Sequence, residues 1–274
     1  MCGTLTVVGT PIGNLGDMSP RAVKALEEAD FIAAEDTRVT MKLLNHFGIK
    51  KPMVSYFEHN KWERGELVCA RILAGENCAL VSDAGMPAIS DPGEMLVRQC
   101  AERGIPVTVA PGPSALIAAL ALSGLPTGRF TFEGFLSMNK KSRREHLYEV
   151  ANERRTMIFY EAPHKLPATL RDMLQAWGDR RIVLVREISK IHEEVIRTTL
   201  REAAEKYAGG GARGEFVLVI DGASCTDTPE QTTLKQAVEL AKSLAEGGLP
   251  ASEAAKQAGK LTGFKKGEIY KGML

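Results

Sequence analysis

The amino-acid sequence predicts an α/β protein, with two α/β domains over residues 1–122 and 123–224 and a small helical domain over 225–274. Three observations predict it. Through the first 110 or so residues, short apolar runs alternate with amphipathic helical stretches, the mark of a mostly parallel sheet covered on both faces. From Arg129 the strand-like runs come closer together with fewer crossovers, which fits a mixed sheet. Beyond Cys225 only helical periodicity remains.

The elements follow in order. Leu5–Val8 is apolar and β-branched and runs into the turn Gly9–Gly16. Ser19-Pro20 opens a helix, with Ser as N-cap, Pro in the first turn, and Ala22, Leu26 and Ala29 on one face. Phe31–Ala34 reads as a second strand and Thr37–Phe47 as a helix closed by Gly48. A strand at Met53–Tyr56, a helix over Glu66–Leu73, a strand at Cys78–Val81, a helix from Gly93 to Glu102 and a strand at Val107–Val109 continue the alternation. In the second domain, strands are expected at Phe130–Phe135, Met157–Tyr160, Ile182–Glu187, Val195–Thr199 and Phe216–Ile220. Helices fall near Arg143–Asn152, Leu166–Trp177 and Leu200–Tyr207. Gly209–Gly211 is a flexible turn and Cys225–Thr228 a linker. Leu234–Ala245, Ser252–Gly259 and Lys265–Lys271 read as tail helices, with Thr262-Gly263 in a turn, a helix-turn-helix-like spacing.

Composition narrows the function. With 35 Lys+Arg against 34 Asp+Glu the net charge is +1, so any nucleic-acid contact must come from local patches. Apolar residues at 44% and charged residues at 25% exclude a disordered or collagen-like chain. The longest apolar run, Ala115–Leu122, is eight residues, short of the ~20 that span a bilayer. Met1–Gly9 has no signal-peptide character, and a cytoplasmic protein without a membrane partner is expected. Five scattered cysteines without a C-x-x-C pair argue against disulfides and zinc, and the five histidines sit singly, so no metal is expected.

Open α/β sheets bind ligands at the carboxyl ends of their strands, and four Gly/Pro-rich or polar loops converge there: Gly9–Gly16, Glu35–Arg38, Ser82–Gly93 and Pro111–Ala115. The first is neither a P-loop nor G-x-G-x-x-G, since no Lys-Ser/Thr follows it and Pro11 holds the second Gly position. Ser114 lacks a G-x-S-x-G elbow. Glu35, Asp36 and Arg38 read either as a site or as the acidic start of a helix, and Asp83 as a site residue or a turn former. His164 and Lys165 stand together between a strand and a helix, with a surface role as the alternative for His164. From Lys140 to Arg155 six Lys/Arg face three Glu; Lys140, Lys141, Arg143 and Arg144 read as a phosphate-contacting edge or a solvated helix face.

Five motifs occur in this order: Val8–Leu15 (V-G-T-P-I-G-N-L), Ala34–Arg38 (A-E-D-T-R), Ser82–Pro87 (S-D-A-G-M-P), Pro111–Ser114 (P-G-P-S) and Phe159–His164 (F-Y-E-A-P-H). In this it resembles the ribosomal RNA small subunit methyltransferase I family, a branch of the tetrapyrrole methylase fold. The resemblance covers essentially the whole chain. It implies S-adenosylmethionine as methyl donor, S-adenosylhomocysteine as product, and a homodimer with the cofactor in the cleft between the two α/β domains. It further implies 2′-O-methylation of a decoding-centre cytidine in 16S rRNA, as free rRNA or within the 30S subunit. By match to its motifs, Pro11, Ser82, Asp83, Ala84, Gly85, Met86, Ile89, Ser114, Ala115, Tyr160, Glu161 and Ala162 are expected to bind the cofactor. Glu35 falls where some tetrapyrrole relatives place a proposed proton acceptor. Pro11 replaces a family Gly, and Asn14 stands where an Asp would fall, which suits the rRNA branch over a tetrapyrrole one.

The chemistry asks for few groups. A sulfonium methyl is already electrophilic, so positioning and a base for the ribose hydroxyl suffice. Glu35 or Lys165 is expected to take or relay that proton, and Arg38 to steady the acceptor phosphate or the Glu35 carboxylate. His164 joins the basic edge as an RNA contact. The alternatives are a tetrapyrrole C- or N-methyltransferase and a non-catalytic rRNA-binding assembly factor.

Overall fold

Strands of four apolar residues have no polar face to give to water, so they fold only where both faces are covered. That condition is met in a computed structural model, which describes residues 2–223, 234–246, 249–262 and 264–273. In chain order the first sheet is built from β1 (Leu5–Val8), α1 (Pro20–Glu28), β2 (Phe31–Ala34), α2 (Thr37–His46), β3 (Met53–Ser55), α3 (Lys61–Leu73), β4 (Cys78–Val81), α4 (Gly93–Glu102) and β5 (Val107–Ala110). Its strand order is β3-β2-β4-β1-β5, and every pair is parallel. Val68 and Ile72 of α3 and Leu96 of α4 bury against Leu5, Phe31 and Leu80 on one face. Ala22 and Leu26 of α1 and Leu44 of α2 bury against Val8, Ile32 and Val81 on the other. Each fully buried Leu or Ile contributes about 1.5–3 kcal/mol.

Local signals set several boundaries. Ser19 Oγ accepts from the Ala22 N–H, so the Ser-Pro start caps α1 as the sequence predicts. The helix α3 begins at Lys61 rather than Glu66. Its first turn is exposed at Trp62, Glu63 and Arg64, so that turn carries no apolar periodicity to read.

The second sheet follows α5 (Ala115–Ser123), with β6 (Phe130–Phe135), α6 (Lys140–Glu149), β7 (Thr156–Glu161), α7 (Leu166–Trp177), β8 (Arg181–Arg186), β9 (Glu194–Thr199), α8 (Leu200–Tyr207) and β10 (Phe216–Ile220). The order is β6-β7-β10-β8-β9, parallel only between β6 and β7 and antiparallel elsewhere. The mixed sheet expected from the sequence is therefore present. The apolar run Ala115–Leu122 falls within α5, whose Leu116, Ala119 and Leu120 pack on Ile158, Val183, Val185 and Val217 of this second sheet. The opposite face is covered by Leu147, Leu170, Met173 and Leu200 from α6, α7 and α8. The helix α6 starts at Lys140, three residues earlier than periodicity suggests, because Asn139 Oδ1 accepts from the N–H groups of Lys141 and Ser142.

Met1–Gly222 forms one compact unit and Ala223–Leu274 another. The second holds α9 (Leu234–Glu246), α10 (Ala251–Thr262) and α11 (Lys266–Met273). Ala237, Ala241, Ala255, Ala258 and Ile269 form its core. The helix α10 runs through Thr262, where a turn is expected, while Cys225–Thr228 lies outside the described residues. The described cysteines, Cys2, Cys69, Cys78 and Cys100, are free thiols, and burial pushes Cys78 up to about 12.

Candidate functional site

The loops after β1, β2, β4 and β5 meet at one rim and are fastened to one another. Thr10 and Gly85 exchange backbone hydrogen bonds of 2.9 and 3.1 Å, tying the first loop to the third. The Asp83 N–H donates to Glu35 Oε2 at 3.3 Å and the Asp36 N–H donates to Asp83 Oδ1 at 3.0 Å, so the second and third loops interlock. The first and fourth touch through glycines: a Cβ on Gly9 would stand 2.6 Å from Gly112 Cα and 2.7 Å from Met86 Sδ. Neither backbone can yield without parting the loops. Gly9→Ala is expected to weaken binding of the ligand held here by about 5- to 150-fold, measured by calorimetry, because overpacking strains by about 1–3 kcal/mol.

Between this rim and the second sheet lies a cavity of about 470 Å³, a size suited to a small organic ligand. The rim loops supply Ile12, Glu35, the stretch Ser82–Met86, Ile89, Ser114 and Ala115 to its wall, and the strands of the second sheet with their following turns supply Phe135, Tyr160, Glu161, Ala162, Val185, Ile188 and Val217. Ile89 is presented between Ala88 and Ser90, both left-handed at φ 69° and 63°. Ile188 sits likewise between Glu187 at 51° and Ser189 at 68°. Non-glycine residues in this region are strained and cluster at ligand clamps. Tyr160 Oη accepts from the Leu116 N–H at 3.2 Å, and burial raises its pKa.

The residues expected to bind a cofactor line this cavity with one exception. Pro11 does not line it; the next residue, Ile12, does, its Cγ2 3.3 Å from where a Cβ on Gly85 would stand. Of the residues expected to be catalytic, Glu35 lines the cavity, half-buried, and Arg38 and Lys165 do not. Burial raises the Glu35 pKa against the N–H of Asp83, and the neighbouring carboxylates of Asp83 and Asp91 raise it further. Arg38 forks onto Asp36 at 2.6–3.2 Å, not onto Glu35, and its side chain is 87% exposed. Asp36 also caps α2 through the Arg38 N–H, and that arginine holds its carboxyl down at about 2. The expected contact of Arg38 with Glu35 is thus replaced by one to the adjacent acid, which is two residues away and already fixed by the cap.

Lys165 is engaged beneath the wall. Its Nζ lies 3.1 Å from Glu161 Oε1, donates to the Leu136 carbonyl at 3.3 Å and sits 5.6 Å from the centre of the Phe135 ring. Buried Glu161 also accepts from Thr169 Oγ1 and the Ala162 N–H. In the basic segment, Lys140, Lys141 and His164 are exposed. Arg143 is not: it pairs with Asp172 at 2.7 Å, the two side chains 11% and 6% exposed. Arg144 bonds to Asp172 and to Gln175 at 2.8 Å. These two arginines hold α6 to α7, a pairing across 29 residues that sequence spacing cannot reveal.

The wall also carries Asp91, Phe135, Val185, Ile188, Glu215 and Val217, which the sequence reading does not single out. Only Gly134 could have pointed to Phe135, since a glycine inside a strand pattern signals a bulge. Asp91 is fixed by the N–H groups of Ala88 and Gly93 at 2.9 and 2.7 Å, and burial raises its pKa. Among the described residues, five acids and no Lys, Arg or His line the cavity. Glu161 and Glu215 pair with Lys165 and Lys190 at 3.1 and 2.9 Å; Glu35, Asp83 and Asp91 favour a cationic ligand, and the isoleucines form apolar walls. A nucleoside bearing a sulfonium fits that set. No group of three or more His, Cys, Asp or Glu able to hold a metal ion occurs among the described residues.

Comparison with known proteins gives a consistent picture. The sequence model of a family described as Tetrapyrrole (Corrin/Porphyrin) Methylases matches residues 4–204. A Synechocystis protein named ribosomal RNA small subunit methyltransferase I is 48% identical over 98% of this chain and 96% of its own. One of that name from Xylella fastidiosa is 47% identical over 98% of both. A Thermotoga maritima protein of the same name is 47% identical over 220 residues, 80% of this chain but 99% of its own length. Among solved structures, uroporphyrin-III C-methyltransferase from Thermus thermophilus complexed with S-adenosylhomocysteine aligns with a TM-score of 0.57 at 21% identity, over 80% of this chain and 97% of that one. The methyltransferase CobJ aligns at 0.60 and 21% identity, over 81% and 95%. The two-sheet architecture, the loop-built rim and these likenesses together show that the chain belongs to the tetrapyrrole methylase family, in its ribosomal RNA small subunit methyltransferase I branch.

Proposed function

We propose that this protein is an S-adenosylmethionine-dependent methyltransferase that methylates small-subunit rRNA at the 2′-oxygen of a decoding-centre cytidine, releasing S-adenosylhomocysteine. One observation carries the reading: a loop-built cavity lined, among the described residues, by five acids and no basic residue, with Glu35 in its wall. The names of the near-full-length relatives support the substrate class.

When bound, the donor supplies a methyl group made electrophilic by its sulfonium. The residues proposed to hold it are Ser82–Met86, Ile89, Ser114, Ala115 and Tyr160–Ala162, with Ile12 in the place expected of Pro11. Glu35 accepts the proton of the ribose hydroxyl, and its burial makes it a stronger base than a free carboxylate. Lys165 positions the wall through Glu161 and the Leu136 carbonyl. Arg38, exposed at the rim, reaches a phosphate of the incoming strand, and Lys140, Lys141 and His164 contribute further RNA contacts. Arg143 and Arg144 act through α6, as struts behind those lysines.

Residues 1–122 and 123–224 form the two halves of the site, and 225–274 is an RNA-capturing appendage. The Thermotoga maritima relative, about as long as the unit Met1–Gly222, supports separating the appendage from the cofactor site. Deletion after Cys225 is expected to weaken RNA capture while leaving donor affinity within about twofold; calorimetry showing equal losses would count against it. A cytoplasmic homodimer is part of the proposal, and the exposed Val107 and Val109 on the β5 edge support the pairing surface. The direct test is transfer of labelled methyl from the donor to small ribosomal subunits and to naked rRNA, with the modified atom located by alkaline resistance of the adjacent linkage. Label in neither substrate would defeat the reading.

A further inference from the structure

The strand β6 carries one residue more than its partner. Phe132 pairs with Ile158, but the next pairs are Gly134 with Phe159 and Phe135 with Tyr160, so Glu133 is the extra residue. Gly134 takes up the bulge at φ +66°. Side chains alternate along a strand and paired residues share a face. Phe130 and Phe132 lie on the face of Ile158 and Tyr160, towards α5. Unbroken alternation would send Phe135 to the opposite face, with Met157 and Phe159 in the core under α6 and α7. The bulge returns it to the cavity side, which is how such irregularities re-aim a side chain beside a site.

The result is a large apolar ring on the cavity wall with 54% of its surface exposed. It is braced from behind. The Tyr160 ring lies 5.3 Å away, itself held edge-on by Phe132 at 4.9 Å and by the Leu116 N–H. The ammonium of Lys165 stands 5.6 Å from the ring centre. The chain then runs through exposed Met138 to exposed Lys140 and Lys141 within six residues. An open ring followed by two exposed cations, Lys141 in a loose surface pair with Glu145 at 3.9 Å, matches a base and the phosphates beside it.

We propose that Phe135 is the ledge on which the base of the methylated nucleotide stacks, an inference that rests on the RNA-methyltransferase reading above. Unpaired rRNA nucleotides are recognised on aromatic faces once splayed from their helix. A base on this ring leaves its ribose over the cavity that Glu35 also lines. The acids and small residues of the interior take the donor, and the ring at the mouth takes the acceptor.

The test compares Phe135→Leu and Phe135→Ala, which remove the π face, with Phe135→Tyr and Phe135→Trp, which keep it. Methyl transfer to small subunits is measured at saturating donor, and donor Kd by calorimetry for every variant. Leu and Ala are expected to lower kcat/KM by about 10- to 100-fold, with Tyr and Trp within about threefold and donor Kd within about twofold throughout. Wild-type kcat/KM in Phe135→Leu would overturn the ledge. So would a donor Kd that weakens in step with activity, since the ring would then serve the donor. Wild-type protein that labels neither rRNA nor small subunits would instead overturn the function on which the ledge rests.

Discussion

Glu35→Gln is expected to lower kcat for methyl transfer by about 10²–10⁴-fold, the usual contribution of a positioned general base, with donor affinity changed by less than about threefold. The amide keeps the shape of the carboxylate, and its oxygen still accepts from the Asp83 N–H, so the interlocked loops stay in place. Only the ability to take a proton is lost. Burial raises the pKa of Glu35, so the base is protonated at a higher pH than a free glutamate. Activity of the wild type should therefore fall on acidification before ordinary carboxylates titrate, and that acid limb should vanish from the residual rate of the variant.

Stability should move the other way. With the folded pKa above the unfolded one, the charge of Glu35 penalises folding at every pH above the folded value, and acidification through that value relieves the penalty. Glu35→Gln should thus raise Tm slightly at neutral pH while removing activity. A variant that lost stability and donor binding together would point to a structural carboxylate instead.

Asp172→Ala is expected to be the costlier change for the fold. Its carboxylate holds Arg143 at 2.7 Å in a pair that is almost wholly buried, and it also reaches Arg144. Removing one partner of a buried pair strands the other and costs about 3–5 kcal/mol. For a protein of this size that corresponds to a fall in Tm of roughly 6–20 °C, measured by calorimetric scanning. Neutralising Lys140 and Lys141 should do the opposite: Tm unchanged, and the slope of log K for RNA against log salt reduced by about one to two. A basic run that reads as uniform in sequence divides here into two struts and two exposed charges. Equal salt slopes for the lysine variant and the wild type would remove that segment from the RNA contact.

The first sheet was legible because its information is local. Leu5–Val8, Phe31–Ala34 and Cys78–Val81 are short buried strands, and Ser19-Pro20 caps its helix through a hydroxyl three residues from its target. The four loops could be grouped from sequence because a parallel sheet sends all its strand ends to one edge. Glu35, Ser82–Met86 and Ser114 group in this way and Tyr160–Ala162 through the family motifs, and all of them line the cavity. Ile188 and Val217 were not, since nothing in their neighbours distinguishes a strand-end residue over a cavity from one in the core.

By itself, then, the chain determined its alternation of strands and helices, the edge where its loops gather, and the residue types offered there. Those follow from contacts between neighbours a few positions apart. Tertiary structure alone decided that β10 enters between β7 and β8, that Ala115–Leu122 packs on the second sheet, that Arg143 turns inward to Asp172, and that a single extra residue brings Phe135 to the cavity. Each depends on pairing between segments distant in sequence, where one residue of register inverts every face and no local pattern records the choice.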